Sequence, residues 1–121
     1  MGISPREGPV SSFLSELAEA YGTPLYAYDL DAVRARAEEL HRWLPAAARP
    51  RVLYSFKANP LPALAAELFD CGCAADLTSE GELNAAREAG FQAATALYGG
   101  PGKGVSEIQQ AIGAGIEFFS I

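Results

Sequence analysis

Arg51-Val-Leu-Tyr-Ser-Phe-Lys-Ala-Asn-Pro60 is the stretch whose reading decides the fold. Side chains alternate across a strand, so Val52, Tyr54 and Phe56 share one face and Leu53, Ser55 and Lys57 the other. Both faces are mostly apolar, which predicts a parallel strand covered on both sides. Asn59-Pro60 stops it, because the residue before a proline avoids helical angles. The strand is therefore expected to end on an amine, with the small Ser55 two residues below. The chain holds two lysines, Lys57 and Lys103, against seven arginines. A solvated cation can be of either type, so a lysine in an apolar strand asks for a reason. Desolvated lysine loses its proton and becomes a nucleophile, and arginine does not. The alternative is a structural lysine whose stem packs while its tip reaches solvent.

Downstream the pattern repeats. The strand at 51–57 is followed by a helix over 62–69, a strand at 74–77 by a helix over 80–89, and a strand at 96–98 by a helix over 105–114. A last strand begins at 116. Ser79 and Glu82 form an S-x-x-E capping box, and Gly90 and Gly115 sit where helices stop. Strand ends near Lys57, Leu77, Gly99 and Ile121 give one βα unit per twenty-odd residues, the pattern of a parallel sheet with right-handed crossovers. Periodicity does not separate a barrel from an open doubly wound sheet. A full barrel takes ~250 residues and eight strands, so about four units predict the N-terminal part of a longer chain.

Upstream, residues 1–10 are rich in Gly and Pro and are expected to form a loose arm. Ser11 or Ser12 can cap a helix whose apolar stripe is Phe13, Leu14, Leu17, Ala18 and Tyr21, with Gly22 as its stop. Residues 25–28 read as a short strand. Asp29 or Asp31 begins a second helix that runs to about Leu44, where Pro45 ends it, and 45–50 reads as a loop.

A net charge of −6 without any basic run argues against a nucleic-acid partner. Arg6, Glu7, Glu16 and Glu19 interrupt the start of the chain, so no signal-peptide core is present, and no stretch approaches the ~20 apolar residues of a membrane span. A cytoplasmic protein is expected. Cys71 and Cys73 flank one glycine; they are too close to bridge without strain and lack a second ligand pair for zinc, so they read as small buried hydrophobes. His41 reads as a surface or packing residue. Gly99-Gly-Pro-Gly-Lys-Gly104 invites reading as a phosphate cradle, but Gly104 stands where the nucleotide-binding pattern needs Ser or Thr.

Y-S-F-K-A-N-P (54–60) resembles the cofactor-lysine strand of the fold-type III pyridoxal-phosphate decarboxylases, the diaminopimelate/ornithine decarboxylase family. P-L-Y-A-Y-D (24–29), A-D-L-T-S-E-G-E-L (75–83) and Y-G-G-P-G-K (98–103) resemble the same family in the same order. The resemblance implies an α/β fold in which 1–121 is the N-terminal part of a (β/α)8 barrel, with the family's β-domain outside these residues. It implies that Lys57 carries pyridoxal 5'-phosphate as a Schiff base, and that Asp76, near the end of the next strand, lies close enough to orient the amine and share its proton. The alternative for Asp76 is a carboxylate satisfied by backbone amides at a turn. Lys103 is expected at the site rim or in a structural role. The family usually has a small residue where this chain has Glu80.

The implied activity is decarboxylation of a small amino acid, meso-diaminopimelate or another amino or carrier-linked acid, by a homodimer. The alternatives are a racemase-like enzyme or cofactor carrier of the same fold, and a non-catalytic interaction protein. The family's phosphate loop, pyridine-nitrogen acid, ring histidine and partner-lent cysteine motif are not in these residues, so the 121-residue chain alone is expected to be inactive.

Overall fold

A computed structural model describes residues 10–121. Five helices and four short strands follow one another: α1 Val10–Tyr21, α2 Leu30–Trp43, β1 Leu53–Ser55, α3 Pro62–Asp70, β2 Ala74–Leu77, α4 Glu80–Glu88, β3 Leu97–Tyr98, α5 Val105–Gly113 and β4 Phe118–Phe119. Short 3-10 turns at Ala46–Ala48 and Ala93–Thr95 precede β1 and β3. The four strands form one sheet in the order β1-β2-β3-β4, every pair parallel. A doubly wound sheet reverses its strand order at a switch point. Here each crossover steps the same way, which is the progression of a barrel wall.

The register fixes the two faces. Tyr54 pairs with Ala75 and Leu77 with Tyr98, which pairs in turn with Phe119. These side chains, with Phe56, join Ala65, Leu83, Ala86 and Ala111 of the helices in the core. Tyr98, Phe56, Leu77 and Leu83 are its largest fully buried side chains. Ring contacts run along this layer, Phe56 stacking on Phe69 and meeting Tyr54 edge-on, and Tyr98 lying against Phe119. The opposite face carries Leu53, Ser55, Asp76, Leu97 and Phe118. Leu53 is 37% and Phe118 44% exposed. The expectation that both faces of β1 are covered is therefore corrected: one face packs on helices and the other is open, as an inward barrel face is without its far wall.

Arg51 crosses that open face. Its guanidinium donates to the Thr95 carbonyl and lies 4.7 Å from the centre of the Phe118 ring. Phe118 stands three strands from β1, about 14 Å along a flat sheet, and side chains leave a sheet roughly at right angles. The contact fits a sheet curled toward this face.

Several element boundaries differ from expectation. The β1 ladder ends sooner: Phe56 N–H donates to Asp76 O, and then Ala58 N–H turns back to Ser55 O at 3.1 Å. Lys57 is thus in a turn just beyond the strand. Residues 25–28 are not a strand, because they have no ladder partner among the described residues; Tyr26 is 89% exposed. Of the expected loose arm, 1–9 lies outside the described residues, and Val10 already opens α1. Ser11 and Ser12 therefore lie within α1 rather than ahead of it. Its apolar stripe is only partly covered, since Leu14 and Tyr21 are exposed. The 45–50 segment contains a 3-10 turn rather than plain loop.

Other local signals act as read. Asp29 caps α2 by accepting the Ala32 N–H at 3.0 Å, and Leu44 ends it. Gly22, Gly90 and Gly115 follow α1, α4 and α5 at positive φ. Arg34 of α2 pairs with Glu67 of α3. His41 is half-buried, its Nδ1 2.8 Å from the Ala37 carbonyl. Cys71 and Cys73 are unbridged and half-buried, and burial pushes the Cys73 thiol above its ordinary value. No helix among the described residues is long and apolar enough to cross a membrane.

Candidate active site

The C-terminal ends of parallel strands form the mouth of this sheet, and Lys57 is there. The amine is exposed and makes no hydrogen bond or ion pair among the described residues. Its turn, by contrast, is fixed. Tyr54 Oη donates to the Asn59 carbonyl at 2.8 Å. Asn59 Nδ2 donates to Tyr28 Oη at 3.1 Å, and Asn59 Oδ1 accepts the Leu61 N–H at 3.1 Å. Burial pushes the Tyr54 hydroxyl above its ordinary value, with Tyr28 adding to the shift, so Tyr54 stays a neutral donor. Sequence reasoning treats Asn59 only as a strand stop and Tyr54 only as a strand-face residue, and so misses this role. An Asn before a proline, just past a strand, is the signal that could have found it, since Asn side chains bond nearby backbone at turns.

Asp76 is half-buried on the open face, opposite Ser55 on one side and Leu97 on the other. It therefore stands level with Ser55, the last residue of β1, and Lys57 follows in the turn beyond. Asp76 and Lys57 are brought to the same end of neighbouring strands, Asp76 within β2 and Lys57 in the turn just past β1. The alternative of an Asp satisfied by turn amides is not what the structure has: outside the strand ladder proper, the only bond of Asp76 among the described residues is the Phe56 N–H to its backbone oxygen.

The turn after β2 is built around Glu82. Ser79 caps α4 by accepting the Glu82 N–H, as its sequence position predicts. Glu82 does not close the box onto Ser79 but reaches one residue further, to the N–H and hydroxyl of Thr78. Gly100 presses against the same residue: a Cβ there would lie 3.0 Å from the Thr78 carbonyl, and its φ is +90°.

The loop at 99–104 satisfies itself. Lys103 Nζ donates to Gly100 O at 2.8 Å, and Glu107 accepts the Gly104 N–H at 3.0 Å. A carboxylate thus already occupies the start of α5, where an anion would have to bind. The loop is thus closed on itself, with Lys103 bonded within it.

Known proteins share the sequence pattern and the fold of this chain. The family described as "Pyridoxal-dependent decarboxylase, pyridoxal binding domain" matches residues 30–121. A diaminopimelate decarboxylase of Aquifex aeolicus is 36% identical over 108 residues, covering 89% of this chain and 25% of its own length. An L-glutamyl-[BtrI acyl-carrier protein] decarboxylase of Niallia circulans is 35% identical over 105 residues, covering 85% and 24%. The crystal structure of a Vibrio vulnificus lysine/ornithine decarboxylase complexed with cadaverine superposes with a TM-score of 0.82 at 25% identity, over 97% of this chain and 31% of that one. The chain spans about a quarter of the length of the curated relatives it matches. With the sequential parallel sheet and the match over 30–121, the chain belongs to the pyridoxal-dependent decarboxylase family, as an N-terminal part of its pyridoxal-binding barrel.

Proposed function

We propose that this chain supplies the cofactor-anchoring wall of a pyridoxal-phosphate-dependent amino-acid decarboxylase of the diaminopimelate decarboxylase type. The observation that carries the reading is the exposed, unbonded amine of Lys57 on a fixed turn at the mouth of a parallel sheet. A primary amine so placed fits condensation with an aldehyde, and barrel enzymes keep their reacting groups at this end of the strands. The described residues fit the attachment point of pyridoxal phosphate and not its phosphate, since the one Gly-rich loop among them is closed by Glu107.

Lys57 would hold the cofactor and yield it to the substrate's α-amino group. Asp76, on the open face below, would orient the amine and keep a proton near it. Ser55, beside Asp76, leaves room above the strand. Bound pyridoxal phosphate supplies the electron sink for the pair left on the α-carbon as the carboxylate departs as CO₂. The substrate class is a small amino acid, free or carrier-linked, in line with the activities that name the two curated relatives. The same reading takes the working protein as a cytoplasmic homodimer of which 1–121 is one portion of the barrel, with a β-domain elsewhere in the protein; it rests on the family resemblance.

The test is borohydride reduction of the protein from its natural source with pyridoxal phosphate, followed by peptide mass. A pyridoxyl adduct on Lys57, with CO₂ released from meso-diaminopimelate, supports the reading. Racemisation without CO₂ would replace the decarboxylase by a racemase-like enzyme. A Lys57→Ala protein that still binds cofactor and keeps its activity would sink it.

A further inference from the structure

We propose that Tyr54, Asn59 and Tyr28 form a hydrogen-bonded clamp that positions Lys57 for cofactor capture, so that two sequence neighbours of the lysine and one distant tyrosine act as positioning residues for one amine. The inference rests on the assignment of Lys57 above. Lys57 itself has nothing holding it: its amine is exposed and unbonded among the described residues. A lysine side chain is a long flexible stem, so the reach of its tip is set by the place of its backbone. That backbone is in a turn that has just left the ladder, with Ala58 N–H bonded back to Ser55 O.

Asn59 ties the far side of this turn to three separate elements. Its carbonyl accepts from Tyr54 in β1, its Nδ2 donates to Tyr28 ahead of α2, and its Oδ1 accepts from Leu61 at the start of α3. Tyr54 is itself anchored, its ring edge-on to the fully buried Phe56. Tyr28 is followed directly by Asp29, the cap of α2. The turn is therefore tied to β1 and to the segments that lead into α2 and α3. The 25–28 segment, which reads as a strand and forms none, has this as its role: it brings a tyrosine hydroxyl to Asn59.

The test compares capture of pyridoxal phosphate at Lys57 and Lys103 in the native protein, by borohydride trapping and quantitation of the two lysine-bearing peptides. Lys103, tied to Gly100 O, is the internal reference. In the unmodified protein the Lys57 adduct dominates. Tyr54→Phe keeps the ring and removes one bond, and should lower the Lys57-to-Lys103 ratio about five- to tenfold, the size of one lost hydrogen bond. Asn59→Ala removes both side-chain bonds and should lower it further, and Tyr28→Phe should lower it least, since it deletes only an acceptor. Circular dichroism should be unchanged in Tyr54→Phe. A ratio within about twofold of the unmodified protein in both Tyr54→Phe and Asn59→Ala, less than one hydrogen bond is worth, would overturn the clamp while leaving Lys57 as the anchor. Equal labelling of the two lysines in the unmodified protein would overturn the assignment of Lys57 and the clamp with it.

Discussion

Glu82 holds Thr78 from one turn ahead, its carboxylate accepting the Thr78 N–H at 2.7 Å and the Thr78 hydroxyl at 3.0 Å. The pair does two jobs. It satisfies a backbone donor at the start of α4, and it fixes the residue that follows β2 at the sheet mouth. Bonds to an ionised acceptor are stronger than neutral ones. Glu82→Ala should destabilise the protein by about 2 kcal/mol, and Glu82→Gln, which keeps one acceptor, by about half that. Urea unfolding of the two variants checks both the size and the order; equal losses would mean that the negative charge at the start of α4 rather than the Thr78 contact is involved.

Gly100 is the second support of the same turn. Its φ of +90° disfavours any side chain, and a Cβ would meet the Thr78 carbonyl at 3.0 Å and its Cβ at 3.1 Å. Backbone atoms do not yield as a side-chain end does. Gly100→Ala should therefore cost about 2 kcal/mol or more. Gly102 in the same loop has no positive φ, and a Cβ added there would have no atom within 4 Å. Gly102→Ala should therefore stay within about 0.5 kcal/mol of the parent. The contrast between the two, by thermal or urea unfolding, is the measurement.

Tyr98 is fully buried and its hydroxyl has no hydrogen-bond partner among the described residues. An unpaired buried hydroxyl is unfavourable, so Tyr98→Phe should leave stability unchanged or raise it by about 1 kcal/mol. The pH dependence has a definite sign. Burial first, then the carboxylates of Glu107, Glu82 and Glu80, push the Tyr98 hydroxyl above its ordinary value of 10.0. Below that value folded and unfolded chains both keep the proton. Above it the unfolded chain releases its proton first, so stability falls as pH rises from about 10 through the folded value. Tyr98→Phe should show a shallower alkaline decline than the parent in denaturation at about pH 9 to 11, the range that brackets an ordinary tyrosine.

The sequence carried the order of elements because the signals for them are local. Glycines close helices, Ser79 and Asp29 cap them, and strand-helix alternation is a spacing. It brought Lys57 to the C-terminal end of β1, one turn past the strand it was expected to close, because Asn59-Pro60 marks where extended chain must stop. What it did not carry depends on partners far along the chain. Residues 25–28 have the composition of a strand, yet a strand exists only with a neighbour to pair with. The exposed face of β1 looked like a second core face because Leu53 is apolar, and only the register against Ala74 and Asp76 separates the two faces. Choosing barrel over open sheet needed the strand order, which periodicity does not contain. The clamp through Asn59 joins positions 31 residues apart, Tyr28 and Asn59, with no pattern to announce it.

Arg51 offers the last check on the curled sheet. Its guanidinium stacks on Phe118 at 4.7 Å and donates to the Thr95 carbonyl, so it links the start of β1 to β4 and to the turn before β3 across the open face. Arg51→Ala removes both contacts and should cost about 1 kcal/mol, the scale of one partly exposed cation–ring contact with one hydrogen bond. Arg51→Lys keeps the charge and loses the planar group that stacks and donates together, so it should recover less than half of the loss. Phe118→Leu keeps an apolar side chain and removes only the ring; if the guanidinium acts through the ring, the losses in Arg51→Ala and Phe118→Leu should not add in the double variant. Strict additivity in urea unfolding would mean that Arg51 and Phe118 do not meet, and that the sheet is flatter than the contact requires.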